Sequence, residues 1–562
     1  MRAVELQEVR FRYRGADADA LAGVGVHADA GERVAVVGLT GAGKSTLLKC
    51  VNRLVPASYR GEFAGKVALF GEEIAGKRVA ELCGTVGMVL QDFESQLFSS
   101  AAELDAAFGP ENLGLGGDEI RRRVTQSLRA VGMEHLRRRD PATLSGGQKQ
   151  RLAIATVLSL HPRVLCLDEP TTDLDPEGRE EIASLLKSLC GGGLTALLAE
   201  HEMDLLAGAD RIVGLAAGKK MFDCAAGEVL WDPGLLSSFG VRPPDLAVVA
   251  GELGLVERPG TVDEAAALLK SNGIGIRPGA ADELVRADAA AAQEGRELIR
   301  IEGLGHTYPG GVESLSGVDL TIRAGEFVAV LGRNGSGKTT LVKHINGLLK
   351  PTAGAVLIEG QDTRALKAAA LGQRVGFVFQ DPDHQIFAGR VFDEVAFAPR
   401  NHGLPEAGVK ERVTRALAQV GLAGREDRDP FLLTKGERQR VALAGVLAAE
   451  PEVIILDEPT TGLDYPAQRA VMELLKALNN EGRTVIVITH AIGTAAEYAR
   501  RIVVMSDAAV IGDGPGRRIL SDEALLSRAG LKMPAILALG RAMGADTLTS
   551  AQFLAALDRG GT

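Results

Sequence analysis

The chain has 562 residues, enough for at least two domains with full hydrophobic cores. Apolar residues make up 46%, and the net charge is −10 with a pI of about 5.6, which argues against a default nucleic-acid or anionic-membrane binder. Five cysteines without a CxxC pair predict neither a disulfide framework nor a zinc site, and suit a reducing compartment. The alternating, charged start MRAVELQEVRFRY does not read as a signal peptide, and no run approaches the ~18 apolar residues of a membrane helix.

In chain order, GERVAVVG reads as a short buried strand running into GLTGAGKS (Gly38–Ser45), and STLLKCVNRL follows with helical periodicity. QDFESQLF starts at Gln91, and LSGGQKQR spans Leu144–Arg151. VLCLDEP is a second buried strand ending in Asp168 and Glu169, and LTALLAEH a third ending at His201. An Ala/Leu-rich segment follows over 233–297, with six basic and ten acidic residues, so it is no basic arm. The series then repeats. GRNGSGKT (Gly332–Thr339) lies 294 residues after its counterpart, QDPDHQIF at Gln380 lies 289 after, and LDEPTT at Leu456 and His490 also lie 289 after theirs. The tails repeat too: LLSSFGVRPP at Leu235 resembles LLSRAGLKMP at Leu525. Strand–loop–helix alternation predicts an α/β fold with a mostly parallel sheet in each half.

Both glycine loops fit the phosphate-loop pattern. Gly38, Gly41 and Gly43, like Gly332, Gly335 and Gly337, let the backbone curl so that successive N–H groups converge on one anion, and the following helix adds the positive end of its dipole. Lys44 and Lys338 are expected at the β- and γ-phosphates of ATP, and Thr46 and Thr340 are expected to bind the nucleotide beside them. Ser45 and Thr339, with Asp168 and Asp457, are the expected Mg2+ ligands. Alternation along an extended segment would turn Glu169 and Glu458 away from the metal, toward an attacking water.

LSGGQKQR, placed between phosphate loop and DEP strand, resembles the signature of the ABC transporter ATPases, and the resemblance covers nearly the whole chain. It implies two tandem P-loop nucleotide-binding domains, each with a RecA-like core, an antiparallel β subdomain, a helical signature subdomain and a small helical C-terminal extension. The expected boundaries are 1–232, 233–297 (extension plus linker), 298–519 and 520–562. It also implies an intramolecular head-to-tail domain dimer clasping two ATP molecules, each between the phosphate loop of one half and the signature of the other. Ser145 and Gly147, or Thr434 and Gly436, would then face the γ-phosphate. Tyr13 and Tyr308 would stack on adenine, Gln91 and Gln380 join the Mg2+, Asp175 and Asp464 cross the domain interface, and His201 and His490 reach the γ-phosphate as catalytic partners of Glu169 and Glu458. The second signature departs from the pattern: LTKGERQR puts Lys435 where glycine is usual. Either the site it completes, that of Lys44 and Glu169, is the slower one, or both sites are competent.

QDFESQLF and QDPDHQIF resemble the Q-x-P-[DE]-x-Q-[IL]-F segment of the energy-coupling-factor importer ATPases, although Phe93 stands where proline is usual. NGLLKPTAG, GEFAGKV and the Gly-x-x-x-Pro tails (Gly240–Pro244, Gly530–Pro534) resemble the same branch. It implies a peripheral subunit on the cytoplasmic face of the membrane. Its partners would be a transmembrane scaffold subunit and a substrate-binding membrane subunit for a vitamin or metal ion, with no nucleic acid. A fused sugar-type importer ATPase and a ribosome-associated ABC factor are the alternatives. The intact second phosphate loop weighs against the first, and the acidic linker against the second.

Overall fold

The computed structural model describes residues 1–172, 174–291 and 295–558. They divide into two units, Met1–Ala247 and Val248–Thr562. Residue 173, residues 292–294 of the expected linker and the last four residues of the chain lie outside the described residues.

In the first unit, a six-stranded sheet carries the chemistry. Its order is Lys219–Ala225, Arg211–Ala216, Arg33–Val37, Thr195–Ala199, Val164–Asp168, Val86–Val89, and all neighbours are parallel except the first pair. Val164–Asp168 and Thr195–Ala199 are buried along their whole length, and their Val, Leu and Ala runs suit a sheet covered on both faces. A four-stranded antiparallel sheet, ordered Leu21–Asp29, Arg2–Tyr13, Gly61–Leu69, Glu72–Glu73, packs through one face into a common core that includes Phe11, Leu21, Leu47 and Val36. The helices Ala102–Asn112, Gly117–Ala130 and Gly146–Leu158 pack on one another around Leu128, Leu152 and Ile154.

The second unit repeats this plan. The sheet order is Val375–Val378, Val453–Asp457, Thr484–Ile488, Phe327–Leu331, Arg501–Ser506, Ala509–Pro515, beside an antiparallel sheet built on Glu297–Thr307. Val391–Asn401, Glu406–Gln419 and Lys435–Leu447 form the helical layer.

The segment 248–291 belongs to the second unit, where the later part of the first half's tail is built together with the second tail. Helix Val262–Ser271 packs on Ala535–Met543, and Lys270 Nζ donates to Ala542 O at 3.1 Å. Gly275–Ile276 pairs antiparallel with Leu557–Asp558. Arg517, almost wholly buried, donates to Asp288 at 2.7 Å and to the Asp546 carbonyl. Without those acceptors a guanidinium would be costly in such a place.

Candidate functional site

In each half the glycine loop leaves the end of a central strand and enters a helix, Lys44–Val51 or Lys338–Ile345. Gly43 caps the first with φ 104°, and a Cβ there would meet Ala20 O at 2.3 Å, so the turn demands glycine. At Gly41 and Gly335, with φ 81°, a Cβ would find no atom within 4 Å, so it is the left-handed backbone and not a close approach that favours glycine there. Lys44 and Lys338 are buried and fold back over their loops: Lys44 Nζ donates to Gly38 O at 2.7 Å, Lys338 Nζ to Gly332 O at 2.8 Å.

Ser45 Oγ donates to Asp168 Oδ1 at 2.9 Å, and Thr339 Oγ1 to Asp457 Oδ2 at 2.8 Å. Burial pushes both carboxyls up to about 6, against the pull of those hydroxyl hydrogen bonds. Asp457 Oδ1 has no hydrogen-bond partner among the described residues. Tyr13 Oη lies 3.0 Å from Thr46 Oγ1, and Tyr308 Oη lies 3.2 Å from Thr340 Oγ1, so each tyrosine is tied to the first turn of its phosphate-loop helix. No spacing rule announces that link, because the partners are 33 and 32 residues apart.

Glu169 and Glu458 correct one expectation. Strand alternation does not part the two acids of each pair, because the strands end at Asp168 and Asp457 and the next residue is left-handed, with φ 49° in both halves. That conformation is strained for a residue with a Cβ; each glutamate's N–H anchors the turn on the neighbouring strand, at Ala199 O or Ile488 O. The turn, rather than the pleat, aims the side chain.

The partners of the two glutamates differ. Gln91 Nε2 donates to Glu169 Oε2 at 2.7 Å, whereas Glu458 Oε2 lies 2.9 Å from His490 Nδ1 in a buried pair. His201, in the corresponding position, has Nδ1 3.8 Å from a different carboxylate, Glu200 Oε1.

Ser145 and Thr434 are helix N-caps in full capping boxes. Ser145 Oγ accepts from Gln148 N, and Gln148 Oε1 accepts from Ser145 N. In the second half Glu437 replaces that glutamine and accepts from both the N–H and the hydroxyl of Thr434 at 3.0 Å. The Lys435 side chain lies along the turn after its own DEPTT, since a Cβ at Gly462 would come 3.0 Å from its Nζ. Asp175 and Asp464 cap the following helices by accepting from Gly178 N and Ala467 N.

The glutamine segments form matching structures. Gln96 accepts from Leu90 N at 2.9 Å and Gln385 from Phe379 N at 3.2 Å, which frames each loop from within. Outside, Phe98 stacks edge-on with Phe108 and Phe387 with Phe397, with ring centroids 4.7 and 4.8 Å apart. All four rings are exposed. Beside the first pair is a groove of about 330 Å³ lined by Leu54, Leu82, Met88 and Phe98 among others.

The profile of the ABC transporter family matches residues 21–172 and 315–461, together more than half of the chain. The chain belongs to the ABC transporter family. Its sequence is 42% identical to the "Putative ABC transporter ATP-binding protein" of Caldanaerobacter subterraneus subsp. tengcongensis over 99% of this chain and 98% of that one. A protein of the same description from Methanosarcina acetivorans is 40% identical over 97% of this chain and 91% of its own length. A solved structure, cbiO1 from Clostridium perfringens, described as part of the ABC transporter complex cbiONQ, is 36% identical over 43% of this chain and 97% of its own, with a TM-score of 0.38. Both halves of this ABC protein are thus ATP-binding domains, and the chain is an ATPase. Among the described residues no helix is long and apolar enough to cross a membrane.

Proposed function

We propose that this chain is the ATPase subunit of an energy-coupling-factor importer, which drives uptake of a vitamin or metal ion through a separate membrane scaffold and substrate-binding subunit. The observation that carries the reading is the paired exposure of Phe98/Phe108 and Phe387/Phe397 beside the two glutamine segments. Exposed aromatic pairs at matching places, each braced by a buried framework, suit docking of two helical elements of one partner. The Asp105 and Glu394 carboxylates brace them by accepting the N–H groups of Phe98 and Ser99, and of Phe387 and Ala388.

In this reading the glycine loops and Lys44 or Lys338 bind the ATP phosphates, and Tyr13 or Tyr308 stacks on the adenine. Lys44 and Lys338 exchange their loop carbonyls for phosphate oxygens. Mg2+ fits the donor set: a hydroxyl and a buried acid already in contact, with one Asp457 oxygen unpartnered. Ser45, Asp168 and Gln91 would hold it in one half, Thr339, Asp457 and Gln380 in the other. It would neutralise charge between the β- and γ-phosphates. Glu169 and Glu458 take the water proton, and His201 and His490 orient that event on the γ-phosphate. Ser145, Gly147, Thr434 and Gly436 present helix N-termini to the γ-phosphate of the opposite half's ATP. Closure of the two halves on ATP would move the docked membrane helices as rigid bodies.

Coexpression with candidate membrane subunits tests the reading. The intact chain should copurify with them, and a Phe98→Ser/Phe387→Ser chain should lose them while hydrolysing ATP on its own. Copurification unaffected by the double substitution would reject it.

A further inference from the structure

One fully buried acid has no role in the scheme above. Glu200 lies at the end of strand Thr195–Ala199, immediately before His201, and exposes none of its surface. Its counterpart 289 residues later is Thr489. The backbones match: Glu200 N donates to Val36 O and Thr489 N to Val330 O, both at 3.2 Å. Only the side chains differ. Thr489 Oγ1 accepts one bond, from Ala491 N at 3.0 Å. Glu200 accepts three: from the Thr171 hydroxyl at 2.6 Å, His201 N at 2.8 Å and Glu202 N at 3.1 Å.

A carboxyl taken wholly out of water is expensive, so a threonine-sized alternative in the sister domain makes its presence informative. It ties the DEPTT turn, through Thr171, to the loop that carries His201. It also places an oxygen 3.8 Å from His201 Nδ1, whereas His490 has its Nδ1 2.9 Å from Glu458, the candidate base itself. Around it stand His201 and Glu202 from its own loop, Arg179 from the helix Pro176–Gly191 through its 2.8 Å contact with Glu202, and Glu169 at the end of the neighbouring strand. Burial holds the Glu200 carboxyl above the ordinary glutamate range, while the nearby imidazole and the Thr171 hydroxyl act against it. Its bonding partners suit both states: a carboxylate accepts all three bonds, and an acid can turn its O–H toward Thr171.

We propose that Glu200 is a positioning residue for ATP hydrolysis in the first half. It anchors the His201 loop to the DEPTT turn and offers the imidazole a carboxylate other than Glu169, which restrains turnover there. The second half, with Thr489, lacks this restraint. The inference rests on Glu169 and His201 acting in the reaction.

The test uses the full chain with Glu458→Gln, so that residual turnover belongs to the first half. Glu200→Gln and Glu200→Thr should each raise kcat by about threefold with KM for ATP nearly unchanged. The gain from Glu200→Gln should shrink as pH falls and the native carboxyl takes up its own proton, which steepens the acid limb of the kcat–pH profile in the variant. Adding His201→Ala should abolish the gain, so that Glu200→Gln then changes nothing. An equal change with and without His201 would show a merely structural acid and overturn the proposal, as would no change at all. If His201→Ala alone leaves turnover intact, the premise about His201 fails, and that result is separate from those of the Glu200 variants. Thr489→Glu in the otherwise native chain guards against misfolding of the Glu200 variants. It should lower turnover by about threefold, and an unchanged rate would contradict the proposal.

Discussion

The two halves share a fold and a motif set, yet their glutamate–histidine pairs rest in different arrangements. In the second half Glu458 and His490 are buried against each other at 2.9 Å. In the first, Glu169 is held by Gln91 and His201 lies nearer Glu200. The signatures differ as well, but in the opposite half: Gln148 and Gly146 in one, Glu437 and Lys435 in the other. Under the proposed head-to-tail sharing of sites, the altered signature and the diverted histidine would fall on the same ATP. Motif identity therefore does not fix equal surroundings.

The largest effect would break the comparison outright. Replacing both Lys44 and Lys338 with alanine should lower ATPase activity by roughly 100-fold or more, because both phosphate loops lose the cation that meets the developing charge. Full activity in that variant would refute both sites together.

A pH series on nucleotide-free protein in chelator addresses what the halves have in common. Asp168 and Asp457 are raised from 3.8 to about 6 by burial. Between those values the folded chain holds protons that the unfolded chain has released. Their contribution to stability is thus fully present below about pH 4 and lost as pH rises through about 6. The melting temperature should fall over that window, and Asp168→Asn/Asp457→Asn should flatten the fall. An unchanged slope would contradict the burial argument.

Lys435→Gly sharpens the difference between signatures. It should raise total turnover by about two- to threefold by opening the approach to Gly436 and Thr434. A fall would mean that the lysine serves the phosphates.

The smallest effect concerns the tails. Asp288→Ala removes one acceptor from buried Arg517, which keeps the Asp546 carbonyl and Gln552, and should cost about 1–2 kcal/mol of stability with little change in turnover. Equilibrium denaturation measures it.

The phosphate loops, the DE pairs and the signatures were legible in the sequence because each is a run of consecutive residues. The capping boxes of Ser145 and Thr434 are equally local, but the signature resemblance points only to the γ-phosphate and not to that role. Alternation fails at Glu169 because it assumes a strand, and the chain turns left-handed one residue after Asp168. The links Tyr13–Thr46, Gln91–Glu169 and Thr171–Glu200 join residues 33, 78 and 29 positions apart, and no periodicity carries such contacts. The partition of the linker was hidden for the same reason, since Lys270 meets Ala542 across 272 positions.

The central claim is that one chain holds two unequal ATP sites. Steady-state hydrolysis by the single variants Glu169→Gln and Glu458→Gln tests it most directly. The account predicts that Glu458→Gln removes most of the activity, whereas Glu169→Gln leaves the larger share. Equal losses in the two variants would contradict it.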